Sequence, residues 1–183
     1  MRDVSCICFQ PPHSKTTRLW RARGGIAAVE FALVLPLLVL LLFGTIEIGR
    51  ILFDYQAASK SVRDATRYLT RIDAGLLGLA CPGTINGAAA AVIEAKNLAM
   101  RGTVDTSKPF LLSYWTDPNT VSVSVSCIDN SGAIYQGFYA DVAEIPNITV
   151  SATVSLPLMN GWLLGLADTL SFTISHKEAH FGQ

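Results

Sequence analysis

Few side chains in this sequence have chemistry to offer. Near the C-terminus, His176, Glu178 and His180 stand two apart in HKEAH. On a strand all three would share one face, which permits a metal site. The spacing is not the helical H-E-x-x-H arrangement, however, and no fourth ligand suggests itself, so a solvated strand end is the better reading. No G-x-S-x-G, P-loop or glycine-rich dinucleotide turn occurs. The residue that most needs an account is Glu30, a carboxylate inside the apolar stretch of RARGGIAAVEFALVLPLLVLLLFGTIEIGR, residues 21–50.

The setting of Glu30 follows from length and composition. A chain of 183 residues, half of them hydrophobic, holds one membrane segment and about one modest domain of roughly 100–150 residues. The formal net charge is zero, so no field favours nucleic acid. Before residue 26 the balance is uneven, with Arg2, Lys15, Arg18, Arg21 and Arg23 set against Asp3 alone. Residues 26–46 carry a single charge and would make a helix about 31 Å long, the hydrocarbon thickness of a bilayer. They read as a transmembrane helix with the basic flank in the cytoplasm and everything after Arg50 exported. A cleaved secretory signal is the competing reading, but its apolar core is usually only ~7–15 residues and ends in an A-x-A-like site, which GTIEIGR does not offer. Pro36 is tolerable in a membrane helix, where neighbouring groups satisfy the freed carbonyl.

A carboxylate in such a span costs about 2.5–3.5 kcal/mol near its centre and less toward an end, and usually finds a partner or marks function. Taken alone, Glu30 could simply snorkel to the headgroups. Its neighbours point elsewhere: Gly24 and Gly25 precede Ile26, Glu30 is the fifth residue after Gly25, Phe31 stands beside it, and basic residues lie just upstream. This pattern resembles the processing site of type IV prepilins. The Glu-Phe pair with GG before it looks most like the Flp and TadE-like pseudopilins of the tight adherence (Tad) pilus system. The resemblance implies cleavage by a prepilin peptidase between Gly25 and Ile26 on the cytoplasmic face, and a role for Glu30 in assembly register. Glycine at the bond leaves the backbone unhindered. Cleavage would create an α-amino group at Ile26, with a reference pKa near ~8, within about one helical turn of Glu30 or of a neighbouring subunit's Glu30.

The elements that must position these residues can be read from periodicity. Ile51, Tyr55, Ala58, Val62, Ala65 and Leu69 alternate spacings of four and three, while Lys60, Arg63, Asp64, Arg67 and Arg71 lie off that face. One helix over residues 26–71 results, about 70 Å long, transmembrane over 26–46 and amphipathic over 47–71. Residues 72–87, with four glycines and a proline, read as a loop. The LAC within it, residues 79–81, is no lipoprotein site, because Gly78 stands where leucine is wanted. Residues 88–102 read as a second, shorter helix closed by Gly102. The period then changes to two over residues 120–128, 148–158 and 169–177, with Val121, Val123 and Val125 inward on the first strand and Leu170, Phe172 and Ile174 inward on the last. FLLSYW, residues 110–115, is a candidate fourth strand. Helices first and strands afterward give an α+β fold, helices covering one face of an antiparallel sheet of three to four strands; the resemblance to pilin-like proteins implies the same plan.

The expected organisation is a basic leader over 1–25, removed by cleavage, the long helix over 26–71, and an exported head over 72–183. Cys81 and Cys127 are the only cysteines in the exported part, where oxidation is favoured, and a disulfide between them is expected. Two free thiols are the alternative, since sequence gives no Cα separation. Cys6 and Cys8 in the leader lack companion ligands. Trp162, Leu163, Leu164 and Leu166 form an apolar cluster in what should be a loop, which either folds back onto the sheet or makes a contact patch; folding back is favoured.

These readings imply a non-enzymatic, single-pass inner-membrane protein with a periplasmic head, without cofactor, metal, nucleic acid or small-molecule substrate. The resemblance implies prepilin peptidase, other pseudopilins, the major Flp-type pilin and the inner-membrane assembly platform as partners, in addition to membrane lipid. An unprocessed signal-anchored periplasmic sensor or enzyme domain is the runner-up.

Overall fold

The computed structural model describes residues 23–132, 134–159 and 168–181. The leader before Arg23 and the cluster from Trp162 to Leu166 therefore lie outside the described residues. The chain divides into two units, the first ending at Gly44 and the second running from Thr45 to Gln183.

The described part of the first unit is helix. It belongs to α1, Arg23–Leu69, which carries Pro36 in its interior. From Ile26 to Leu42 its large apolar side chains are all exposed, Leu33 reaching 74%. This helix is long and apolar enough to cross a bilayer, and such all-round apolarity suits a lipid surrounding.

The second unit has its core where the later turns of α1 meet a sheet. Ala58, Val62, Ala65 and Leu69 of α1 are fully buried, the stripe that the four-and-three spacing requires. Two of the four are alanines, which let a sheet approach closely. Among the described residues the sheet has three antiparallel strands in the order β1 (Val121–Asp129), β2 (Glu144–Pro157), β3 (Thr169–Ala179). β2, the central strand, buries Ile148, Val150, Ala152, Val154 and Leu156, every second residue, as a strand with one covered face must. Register places Val123 and His176 on either side of Val150, and Val121 and Ile174 on either side of Ala152. The helices therefore cover one face of an antiparallel sheet, an α+β fold.

Two short helices complete the cover. Residues 72–87 are not all loop: α2, Ala74–Leu77, opens with the Asp73 carboxylate accepting from Gly75 N and closes at Gly78 in the left-handed conformation. α3, Ala90–Arg101, buries Val92, Ala95, Ala99 and Met100 and ends at Gly102, φ 69°, whose N–H donates to Leu98 O. A side chain there would meet both the left-handed backbone and Leu111.

Two expectations need correction. Residues 110–115 are no fourth strand. Leu111 N–H is taken by Met100 O at 2.9 Å and Trp115 N–H by Leu112 O at 3.0 Å, so the groups that would build a ladder close turns instead. The segment plugs the core with Leu112 and Trp115, the indole donating to Thr120 Oγ1 at 2.8 Å. Leu170 is the second correction. It shares a face with Phe172 and Ile174, but it is 42% exposed, beyond the reach of the helical cover.

Cys81 and Cys127 form a disulfide, Cα–Cα 5.9 Å, across a sequence separation of 46. Closing a loop of that size contributes about 4 kcal/mol in the chain-entropy account. It ties the connection after α1 to β1.

Candidate functional site

α1 places Gly25, Ile26, Glu30 and Phe31 in its first turns, all exposed. The described helix already includes Arg23, so the Gly25–Ile26 peptide lies within helical backbone. Glycine weakens a helix by about 1 kcal/mol relative to alanine, and the GG pair makes this the turn most easily unwound. A Cβ added at Gly25 would meet nothing within 4 Å. Packing therefore gives no reason for glycine there.

Glu30 makes no hydrogen bond or ion pair among the described residues. Its helical neighbours, three and four positions away, are Ile26, Ala27, Leu33 and Val34, none of which can neutralise it. Helical side chains lean toward the N-terminus, so the carboxylate leans back along the turn that starts at Ile26. Glu30 lies beyond the first turn of the described helix, where the macrodipole has fallen off, so the helix itself does not offset the ~2.5–3.5 kcal/mol that burial at mid-membrane costs. Within one turn, the chain could supply a cation only as an α-amino group at residue 26.

The second group of candidates sits where α1 ends against β3. Glu178 accepts from Arg67 Nε at 3.2 Å, and His176 Nε2 lies 3.2 Å from the same oxygen. Burial alone would raise the Glu178 carboxyl, but hydrogen bonds from His176 and Arg67 together hold it below the usual range. His180 is not part of a solvated strand end. It is 5% exposed, with Nε2 donating to Ile72 O at 2.7 Å, while Phe181 N–H caps Thr70 O at 2.9 Å. Histidine and glutamate here hold the C-terminal strand to the end of α1. No cluster of three metal-ligating side chains exists among the described residues.

Other polar pairs were hidden in the sequence. Tyr114 donates to Asp54 Oδ2 at 2.8 Å, and burial followed by that carboxylate pushes the phenol well above its usual range. Tyr68 donates to Glu94, whose acceptor oxygen, with burial, pushes it up to about 12. Asn147, which with Ile148 and Thr149 spells an N-x-T glycosylation sequon, is buried and closed to a glycan.

The stretch that bears the candidate site can now be set against known proteins. Residues 25–67 match the model of the TadE-like protein family. No curated protein and no solved structure matches the chain. The TadE-like stretch opens at Gly25 and covers the exposed apolar turns and nearly all of the amphipathic ones, less than a quarter of the chain. TadE-like proteins are structural, pilus-related components rather than an enzyme family, and one apolar N-terminal helix fits a single-pass membrane anchor in such a protein.

Proposed function

We propose that this chain is a TadE-like minor pilin that serves in the assembly or anchoring of a Tad/Flp adhesion pilus and has no chemistry of its own. It sits in the bacterial inner membrane with its N-terminus in the cytoplasm and its head in the periplasm. Its partners are prepilin peptidase, other pseudopilins, the major Flp-type pilin and the assembly platform.

One observation carries this reading: Glu30 is the sole charge in the exposed apolar run from Ile26 to Phe43 and has no cation within a turn. Hydrolysis of the Gly25–Ile26 bond adds water across it, leaving a carboxylate on Gly25 and an amine on Ile26. Opposite charges about 4 Å apart attract by roughly 4 kcal/mol at an effective dielectric of about 20, a value comparable with the insertion cost of the acid. Proteolysis thus converts a liability into half of a pair. A neighbouring helix that brings its own amine to Glu30 would be held in one axial register, since either charge left unmatched is penalised.

N-terminal sequencing of the protein recovered from membranes tests the first step, with Ile26 expected as the first residue. Replacement of Glu30 by leucine tests the second. Maturation should persist while surface fibres are lost. A native polypeptide that still begins at Met1, with fibres indifferent to Glu30→Leu, would sink the proposal.

A further inference from the structure

The end of the β2–β3 pairing is fastened to α1 at the level where the apolar run stops. Pro157 and Thr169 are the last register pair, and Leu158 N–H donates to Asp168 O at 2.9 Å. The next backbone amide, Met159 N–H, donates to Glu47 Oε1 at 3.2 Å. The same oxygen accepts from Arg50 Nη2 at 2.6 Å, and Arg50 also donates to Pro157 O. Glu47 directly follows Ile46, where the apolar run ends. The two charges at this height are thus turned onto each other and onto the hairpin backbone.

The surface around this clasp is apolar. Met159 is 68% exposed and Leu170 42%, and Ile48, Leu52 and Phe53 of α1 are more than half exposed. From Ile46 to Phe53 the helix climbs about 10 Å, while the polar layer of one leaflet is roughly 5–8 Å deep. These side chains therefore stand at headgroup height or just above it, if the apolar run spans the bilayer.

We propose that this end of the head is a lipid-contact surface: Met159 and Leu170 of the hairpin, with Ile48 of α1, enter the headgroup layer of the leaflet from which α1 emerges. The head is then attached to the bilayer at two points, and its orientation on the membrane is set by the hairpin as well as by the helix. The inference rests on the membrane-anchor reading of α1. Continuity with the span selects lipid over a protein partner, because the Glu47–Met159 bond sets the apolar side chains beside the membrane boundary before any partner arrives.

The test uses the full chain in phosphatidylcholine–phosphatidylglycerol vesicles, with Cys6→Ser and Cys8→Ser and a single environment-sensitive fluorophore attached through Met159→Cys, Leu38→Cys or Ser124→Cys. The label at position 159 should be quenched more by nitroxides near the headgroups than by nitroxides deep in the acyl chains. Its quenching by aqueous iodide should be at least roughly twofold weaker than at position 124, as expected for a side chain at the interface. The label at position 38 should show the reverse depth order. Iodide access at 159 equal to that at 124, with position 38 still quenched from the acyl chains, overturns the lipid contact and leaves the anchor standing. Iodide access at 38 overturns both. A label at 159 shielded from iodide and from lipid nitroxides alike is covered by protein, which also overturns the proposal.

Discussion

The two halves of α1 have the same secondary structure and opposite surroundings. Before Gly44 the large apolar side chains are 42–74% exposed, whereas after Thr45 the stripe Ala58, Val62, Ala65 and Leu69 is fully buried. Their polar residues are handled just as differently. The later half takes Asp54, Ser61 and Thr66 into its buried face and satisfies them: Tyr114 serves Asp54, while the two hydroxyls donate back to Ala58 O and Val62 O. From Ile26 to Gly44 the earlier half has one ionisable group, Glu30, and no partner for it among the described residues. A helix completed by its own sheet is self-sufficient, whereas one that displays leucine and an unmatched carboxylate is built for a surrounding the chain does not supply.

The strongest test of that contrast is at Gly25. Because a side chain there meets nothing within 4 Å, Gly25→Leu should leave the head folded and slightly strengthen the helix, since leucine is the better helix former. Under the pilin proposal, the matured form should disappear entirely and surface fibres with it. Gel mobility, intact mass and fibre counts check this. Normal mobility and normal fibres would return the chain to the class of unprocessed anchors.

Next in size is a pair of truncations, one in each half. Leu69→Ala removes a fully buried side chain and should cost the head about 2–5 kcal/mol. Leu38→Ala, in the exposed apolar half, should leave the head's denaturation midpoint where it was. Urea titration of the detergent-solubilised chain, followed by far-ultraviolet circular dichroism, reads both. Equal losses would mean that the first half is packed on the head after all.

Smaller again is the loss expected from Tyr114→Phe. Asp54 is 8% exposed, and removing its phenolic donor strands a buried acceptor, at a cost of about 1–3 kcal/mol. Combining it with Asp54→Leu should cost less than the two single changes added together, because no polar group is then left unpaired. Additive losses in the same titration would show that the hydrogen bond contributes nothing specific.

How much of this was readable from sequence depends on the range of the interaction. Period-two runs and the four-and-three stripe are local, and they placed β1, β2, β3, the buried face of α1 and α3 within a few residues. The left-handed stops at Gly78 and Gly102 differ in this respect. Gly102 was readable as the end of a helical run, whereas Gly78 closes a helix of four residues, too short to show a period. FLLSYW misled because hydrophobicity and aromatic content say that a segment is buried, not which carbonyl takes its amides; Met100 O decided that. Ser61 and Thr66 are not part of the apolar stripe, yet both are buried, since hydroxyls that bond back to their own helix can be buried at little cost. His180 was read as solvated because its acceptor, Ile72 O, is 108 residues away in the chain. At the candidate site the reverse holds, since Gly25, Ile26, Glu30 and Phe31 lie within two turns and their pattern is complete in sequence.

The smallest effect concerns Glu178, where the later half of α1 meets β3. Its carboxyl, ordinarily near 4.5, is lowered in the folded chain. A lowered folded value means that the ionised form is the one that stabilises, so the contribution is present above about pH 4.5 and is lost as pH falls through the folded value. Arg67 is 56% exposed in this pair, and exposed pairs contribute roughly 0–1 kcal/mol. Glu178→Gln should therefore lower stability near neutral pH by less than about 1 kcal/mol and make the acid limb of the stability curve shallower below pH 4.5. In 1 M salt, where the screening length falls to about 3 Å, wild type and variant should converge. An acid limb unchanged by the substitution would mean that the Arg67–Glu178–His176 contact does not help to hold β3 to the helix, leaving that task to the backbone and imidazole bonds of Thr70 and Ile72.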